Sequence, residues 1–290
     1  MMAISGKTRV CAVIGDPIEH SLSPTIHNAA FGHLKLDFVF LVFRVKAADL
    51  ENAVRGMRGL GIHGLNVTMP HKSTVIDYLD EIDPTVQFLG SANTILNKDG
   101  KLSGFNTDGV GALKALRENG VALSEKKVLL LGAGGAAKAI AFALAKEVGE
   151  LAILNRAAEK ANELAEMLGR MFNKKVVGGA LSSDSIAKNL QDSDILINAT
   201  SVGMKPNLSQ SLVAPQWVKS DLAVMDIVYN PVETKLAKDA KAAGAKVISG
   251  VEMLIYQGAA SFEIWTGCSA PIEVMRRAAL NKLSSAGASK

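Results

Sequence analysis

Cysteine is scarce in this 290-residue chain: Cys11 and Cys268 are the only two, and their spacing fits neither a metal-binding knuckle nor a redox pair. Both are expected to be reduced apolar residues of a cytosolic protein. Histidine is nearly as rare. All five lie between His20 and His71, with no His-x-x-x-His pair on an expected helix, so no metal centre is expected. Neither charge sign dominates. The 32 basic and 28 acidic residues are interspersed and leave a net charge of +4, which argues against a nucleic acid or an anionic membrane as partner. No apolar run is long enough to span a bilayer. The segment Met1 to Lys7 lacks an apolar stretch of signal-peptide length, so a cytoplasmic location is expected.

What is present is a globular composition, 48% hydrophobic and 21% charged, over a length that suits two domains with separate cores. Short apolar runs alternate with helical patterns, the mark of an α/β protein with largely parallel sheets. Arg9 to Ile14, Phe38 to Val45 and Ile62 to Val67 read as strands, separated by helices over Pro24 to Leu34, Asp49 to Leu60 and His71 to Tyr78. Ala92 to Leu96 and Lys101 to Phe105 flank Asn97-Lys98-Asp99-Gly100, whose Asp-Gly signals a hairpin. A helix from Gly109 to Asn119 leads into a second βα series. Its strands are Val128 to Leu131, Glu150 to Leu154, Lys175 to Val177, Ile195 to Asn198, Ala223 to Ile227 and Lys246 to Ile248. The last two helices, Val251 to Trp265 and Ile272 to Leu283, are expected to return to the first domain. The expected division is therefore 1–108 with 250–290, and 109–249.

The second series opens on a recognisable turn. Val128 to Leu131 runs straight into Gly132-Ala133-Gly134-Gly135-Ala136-Ala137 and an Ala-rich helix, which is the dinucleotide pattern with Ala at its last small position. The first glycine makes the turn, the second admits a pyrophosphate to the backbone, and the helix N-terminus attracts the anion. The next strand ends Leu154-Asn155-Arg156, where an NAD enzyme usually carries a carboxylate for the ribose 2′-hydroxyl. Arg156, with Lys160 four residues on, suits a 2′-phosphate instead and points to NADP. Glu159 is the feature that opposes it.

In the first domain, Asn66-Val67-Thr68-Met69-Pro70-His71-Lys72 reads as a strand end followed by a helix with Pro70 at its first position. Lys72 then falls in the first turn, where the macrodipole repels a cation. Local rules are broken in this way where a site requires it. His71 points about 100° away from Lys72 on such a helix and is read as structural.

Taken together, these blocks resemble the shikimate dehydrogenases over nearly the whole chain. The resemblance is carried by Ser21-Leu22-Ser23-Pro24, Asn66-Val67-Thr68-x-Pro70-His71-Lys72, Gly90-x-x-Asn93-Thr94 and Asn106-Thr107-Asp108-Gly109. It continues through Gly132 to Ala136, Asn155-Arg156, Asn198-Ala199-Thr200-Ser201-x-Gly203-Met204, Tyr229-Asn230-Pro231 and Gln257-Gly258-Ala259. It implies a three-layer α/β substrate domain with a mostly parallel sheet and a Rossmann-type NADP-binding domain. The implied activity is reversible NADPH-dependent reduction of 3-dehydroshikimate to shikimate, by a monomer or homodimer. This chain has Ser91-Ala92 where the family commonly reads Ala-Val, a departure expected to have little effect on class.

Reduction of a ketone needs hydride on one face and a proton or positive charge at the oxygen. Lys72 is the candidate donor, and the resemblance makes Asp108 its partner, although Asp108 also stands where a helix N-cap belongs. Desolvation and a helix N-terminus lower the pKa of Lys72 while a carboxylate raises it, so proton transfer and simple polarisation both remain open. The resemblance implies that Ser21 and Ser23 hold the substrate carboxylate, though Ser23 before Pro24 also reads as an ordinary N-cap. It likewise implies that Asn66, Asn93 and Gln257 bind ring hydroxyls, with Thr68 beside them and Tyr229 serving substrate and cofactor. At 100° per residue Gln257 falls inside an apolar stripe of Met253, Leu254, Ile264 and Trp265, so its amide needs a backbone or ligand partner. Thr200, Ser201, Val202, Met204, Ile227, Gly250 and Met253 are expected on the cofactor side. Val202 and Met204 would suit a ring stack, with core packing as the plainer reading of Met204. A quinate/shikimate dehydrogenase using NAD is the nearest alternative, and a non-catalytic nucleotide-sensing protein the alternative from another class.

Overall fold

The computed structural model describes residues 4–287 and divides the chain into two compact units. One runs up to Thr107 and resumes at Ile255; the other is Asp108–Leu254.

The first unit contains β1 (Arg9–Gly15), α1 (Ser23–His33), β2 (Phe38–Arg44), α2 (Leu50–Gly59), β3 (Gly64–Val67), β4 (Glu81–Ile82), α3 (Pro84–Leu89), β5 (Thr94–Lys98) and β6 (Lys101–Phe105). Its sheet runs β2-β1-β3-β5-β6-β4. Pairing is parallel except where β5 runs antiparallel to β3 and β6. The β5–β6 turn has left-handed backbone at Asp99 (φ 54°) and Gly100 (φ 86°), the two-residue hairpin geometry that Asp-Gly favours.

Side-chain alternation along β3 gives the sheet two different faces. Leu65 and Val67 enter a core with Val54, Met57 and Val75. Gly64 and Asn66 turn the other way. A Cβ at Gly64 would lie 2.6 Å from the Trp265 indole nitrogen, so the missing side chain makes room for that ring. On this second face α1 packs against the C-terminal helix, and His27 of α1 stacks on Phe40 at 4.5 Å between ring centroids.

The second unit holds α4 (Asp108–Glu118), β7 (Lys127–Leu131), α5 (Gly135–Ala145), β8 (Glu150–Asn155), α6 (Ala158–Phe172), β9 (Lys175–Ala180), α7 (Ser183–Asp192), β10 (Ile195–Asn198), β11 (Ala223–Asp226), α8 (Lys235–Ala242) and β12 (Lys246–Ile248). The sheet runs β12-β11-β10-β7-β8-β9 and is parallel throughout. This is the doubly wound order with its switch point between β7 and β10, outside whose carboxyl ends ligands bind in such folds. Two further helices, α9 (Gly250–Thr266) and α10 (Ile272–Gly287), follow, and from Ile255 onward they belong to the first unit.

Besides the unforeseen β4 and α3, three details differ from the sequence expectation. The helix expected over His71 to Tyr78 is a 3-10 helix confined to Thr74–Tyr78, so Pro70 does not open a helix. Lys72 instead lies in a turn closed by the Val75 N–H, which donates to the His71 carbonyl at 2.9 Å. The cause is tertiary: the buried His71 ring meets the Val45 carbonyl at 2.7 Å, which fixes the chain just where the helix would begin. His71 is structural, as read. The α9 face differs as well. Leu254 and Ile264 are only half-buried, and the fully covered positions include Val251, Ile255, Tyr256, Ala259 and Phe262. Finally, Cys11 is buried, and burial pushes its thiol far up and leaves it inert, whereas Cys268 is exposed.

Candidate active site

Within the first unit, the ends of β3, β5 and β6 meet one face of α9 in a buried polar cluster. Asn66, Asn93, Thr94, Thr107 and Ser261 are all buried there. The Asn66 amide nitrogen donates to the Asn93 carbonyl (3.1 Å), to Thr94 Oγ1 (3.2 Å) and to Ser261 Oγ (3.1 Å). A carbonyl can only accept, so the amide must hold its nitrogen inward. Asn66 Oδ1 is left buried with no hydrogen-bond partner. Asn93 is fixed in the same manner: the Thr107 N–H donates to its Oδ1 at 2.9 Å, and its Nδ2 donates to Thr107 Oγ1 at 2.9 Å and to Gln257 Oε1 at 3.4 Å. Asn66, Asn93 and Gln257 are thus brought together, with Gln257 half-buried.

Lys72 joins this region through its backbone. Its carbonyl accepts from the Ala92 N–H at 2.8 Å, and Val67 N–H donates to the Asn93 carbonyl at 2.9 Å, so the lysine turn is stitched to the strand end that carries Asn93. The Lys72 side chain is half-buried. Thr68, also half-buried, leads into the turn, its N–H bonded to the Ile14 carbonyl at 3.0 Å. Ser91, the family departure, is buried and accepts from the Asn106 amide through both its carbonyl (3.0 Å) and its hydroxyl (3.2 Å).

Ser21 and Ser23 stand at the start of α1, but the capping expectation is inverted. The residue at the N-cap is Leu22, which makes no side-chain cap, and the Ser21 hydroxyl accepts the Ser23 N–H at 3.3 Å. Ser23 is buried and Ser21 half-buried. Serine before proline suggested the reverse division of labour, because it located the helix start one residue too late.

In the second unit, Asp108 is buried in the first turn of α4. Gly132, at φ +113°, ends β7 where a Cβ would lie 2.8 Å from the Ala199 carbonyl, so only glycine passes the end of β10 at this turn. Beyond it Ala133 is buried, while Gly134 and Gly135 are exposed with nothing within 4 Å of an added Cβ. Gly134 caps α5 without a side-chain bond, so the first N–H groups of that helix and the open space at Gly134 and Gly135 fit a dinucleotide pyrophosphate. At the end of β8, Asn155 donates to the Ala157 carbonyl at 3.0 Å, and Arg156 and Lys160 are exposed, as is Glu159. Ala157 offers α6 no side-chain cap, which leaves its N-terminus able to receive an anion. The residues present therefore fit a phosphorylated dinucleotide.

The loop after β10 is held from beneath. Buried Asp226 accepts from the Asn198 amide (2.9 Å), the Val228 N–H (3.1 Å) and the Thr234 hydroxyl (2.6 Å). Burial pushes this carboxyl up while the three donors pull it down. Asn198 in turn receives Thr200 Oγ1 at 2.7 Å on its Oδ1, and Thr200 Oγ1 accepts the Val202 N–H at 3.2 Å. Ser201 is exposed, Val202 half-buried, and Met204 is 44% exposed, which removes core packing as its role. Ile227 is half-buried, its N–H on the Asn198 carbonyl at 3.0 Å. A Cβ at Gly250 would lie 2.5 Å from the Ile227 carbonyl, and Met253 is buried one turn on. Tyr229 is half-buried, and burial raises its phenol, which stays a donor.

Sequence reasoning missed Thr94, Thr107, Ser261, Asp226 and Thr234 as site-building residues. Ser261 was within reach: it lies four residues past Gln257, on the same face of α9.

Comparison with known proteins places these features in context. Residues 13–95 match the shikimate dehydrogenase substrate binding domain, 114–243 match shikimate / quinate 5-dehydrogenase, and 250–280 match the shikimate 5′-dehydrogenase C-terminal domain. The chain is 48% identical over 285 residues to a shikimate dehydrogenase (NADP(+)) of Methanopyrus kandleri, covering 97% of this chain and 98% of that one. A solved shikimate dehydrogenase in complex with NADP+ superposes with a TM-score of 0.91 at 45% identity, covering 97% and 98% of the two chains. A shikimate 5-dehydrogenase from Listeria monocytogenes, in complex with shikimate and NAD, gives 0.90 at 37% identity over 96% and 98%.

Proposed function

The chain belongs to the shikimate dehydrogenase family, and we propose that it catalyses the reversible NADPH-dependent reduction of 3-dehydroshikimate to shikimate in aromatic amino-acid biosynthesis. The observation that carries this reading is the buried acceptor Asn66 Oδ1, which lacks a protein donor and is shaped to receive a hydroxyl. Asn93, Gln257 and Thr68 complete the hydroxyl-binding set, and Ser21 and Ser23 take the carboxylate.

Bound NADPH supplies the hydride. Lys72 supplies positive charge, and in the reductive direction a proton, to the carbonyl oxygen, with Asp108 as its carboxylate partner. Tyr229 contributes a phenolic donor that burial keeps protonated. Gly132 to Ala136 would hold the pyrophosphate, Arg156 and Lys160 beside Asn155 the 2′-phosphate, and Thr200, Ser201, Val202, Met204, Ile227, Gly250 and Met253 the nicotinamide. We assign the first unit to substrate and the second to NADP. No helix among the described residues is long and apolar enough to cross a membrane. The proposal places the enzyme in the cytoplasm, as a monomer or homodimer.

Steady-state rates with shikimate and quinate, each with NADP+ and NAD+, test this reading. The highest kcat/KM is expected for shikimate with NADP+. A preference for quinate with NAD+ would instead identify a quinate/shikimate dehydrogenase, and cofactor binding without turnover a nucleotide sensor.

A further inference from the structure

Three hydroxyls pack around the Asn66 and Asn93 amides, and their hydrogens can be counted. Ser261 Oγ sits 2.7 Å from Thr94 Oγ1, 3.3 Å from Thr107 Oγ1 and 3.1 Å from the Gln257 carbonyl one turn back on α9. If Ser261 donates to the Gln257 carbonyl, Thr94 must donate across the 2.7 Å pair, and both Ser261 lone pairs are taken by Thr94 and Asn66. If Ser261 donates to Thr94 instead, Thr94 passes its hydrogen to Asn93 Oδ1 at 3.0 Å. In either order none of these hydroxyls has a hydrogen for Asn66 Oδ1. One Asn66 N–H goes to the Asn93 carbonyl; the other is shared by the linked Thr94 and Ser261 hydroxyls.

We propose that the Ser261–Thr94 hydroxyl pair is a positioning element for substrate, holding the Asn66 amide nitrogen inward so that Oδ1 faces the ligand as an acceptor for a hydroxyl. This inference rests on the reading of Asn66 as a ring-hydroxyl ligand. Ser261 is fully buried, so it acts through Asn66 and does not touch substrate. Without it, Thr94 can turn its hydrogen to Asn93, and the second Asn66 N–H depends on a single 3.2 Å contact.

The test is Ser261→Ala in the full-length enzyme, with shikimate KM, kcat, the NADP+ Kd and the melting temperature all measured. Shikimate KM is expected to rise about 5-fold, with kcat within about twofold, because a contact made equally in ground and transition states moves KM alone. The NADP+ Kd stays unchanged. In an Asn66→Ala background the Ser261→Ala penalty disappears, as it must when one residue acts through the other. Thr94→Val probes the same pair should Ser261→Ala fold poorly, with the same rise in KM and the same loss of effect beside Asn66→Ala. An unchanged KM in both variants, or penalties that multiply with that of Asn66→Ala, would overturn the proposal. Failure of the wild-type enzyme to bind shikimate would instead remove the functional reading beneath it, and direct titration of shikimate separates the two.

Discussion

His27 limits stability in acid, and the structure sets the size of the effect. Its ring is fully buried, with neither nitrogen bonded, among Phe31, Phe40, Phe262 and Trp265. Burial pushes the imidazolium down to about 3 from 6.5. A base whose folded pKa is depressed binds its proton more readily in the unfolded chain. Its neutral form is therefore no handicap above about pH 6.5, and stability is lost progressively as pH falls from there toward 3. At about 1.36 kcal/mol per unit, the loss is about 2 kcal/mol between pH 7.5 and 5, approaching 4–5 kcal/mol near pH 3. Urea denaturation of the wild type and of His27→Phe across this range isolates the contribution, since every other residue is the same in the two proteins. Phe keeps the stack on Phe40 and cannot ionise, and any overpacking shifts its curve by a constant. The gap between the two proteins should change by about 2 kcal/mol in favour of the variant on going from pH 7.5 to 5. Parallel curves would show that water or a partner reaches the imidazole and would refute the reasoning.

Arg156→Ala should raise the KM for NADP+ about 10-fold while leaving NAD+ kinetics unchanged, the value expected for one charge-assisted contact at an exposed strand end; equal effects on both cofactors would remove the 2′-phosphate role. Asp226→Asn replaces the acceptor of three converging donors with a group that must itself donate. Urea denaturation should show a loss of about 2–3 kcal/mol, together with weaker NADP+ binding through the Asn198–Thr200 loop; a loss under about 0.5 kcal/mol would mean that the network is not stabilising.

How legible all this was depended on how local the signal is. The turn from β7 through Gly132 to α5 could be read directly, because strand, glycines and helix are contiguous and each has a backbone reason to be there. The Asp99-Gly100 hairpin was legible for the same reason. The α3 helix was missed although its signals were present. Asp83 caps it through a 2.6 Å bond to the Val86 N–H, Pro84 opens it, and Gly90 closes it at φ +60°. The two residues of β4 are too few to show any period. The turn at Lys72 was misread because its geometry is decided by the His71 ring reaching Val45, 26 residues away in sequence. The pairing of the two hydroxyls was invisible for a related reason: Thr94 and Ser261 are 167 residues apart, so no local pattern joins them. His27 could be counted in the sequence, but its aromatic enclosure is assembled by α1, β2 and α9 together.

The most direct test of the account is the kcat of Lys72→Ala for shikimate oxidation, with the NADP+ Kd measured beside it. The account predicts a fall of about 10²- to 10⁴-fold in kcat with the NADP+ Kd unchanged. A near-wild-type kcat in that variant would contradict it.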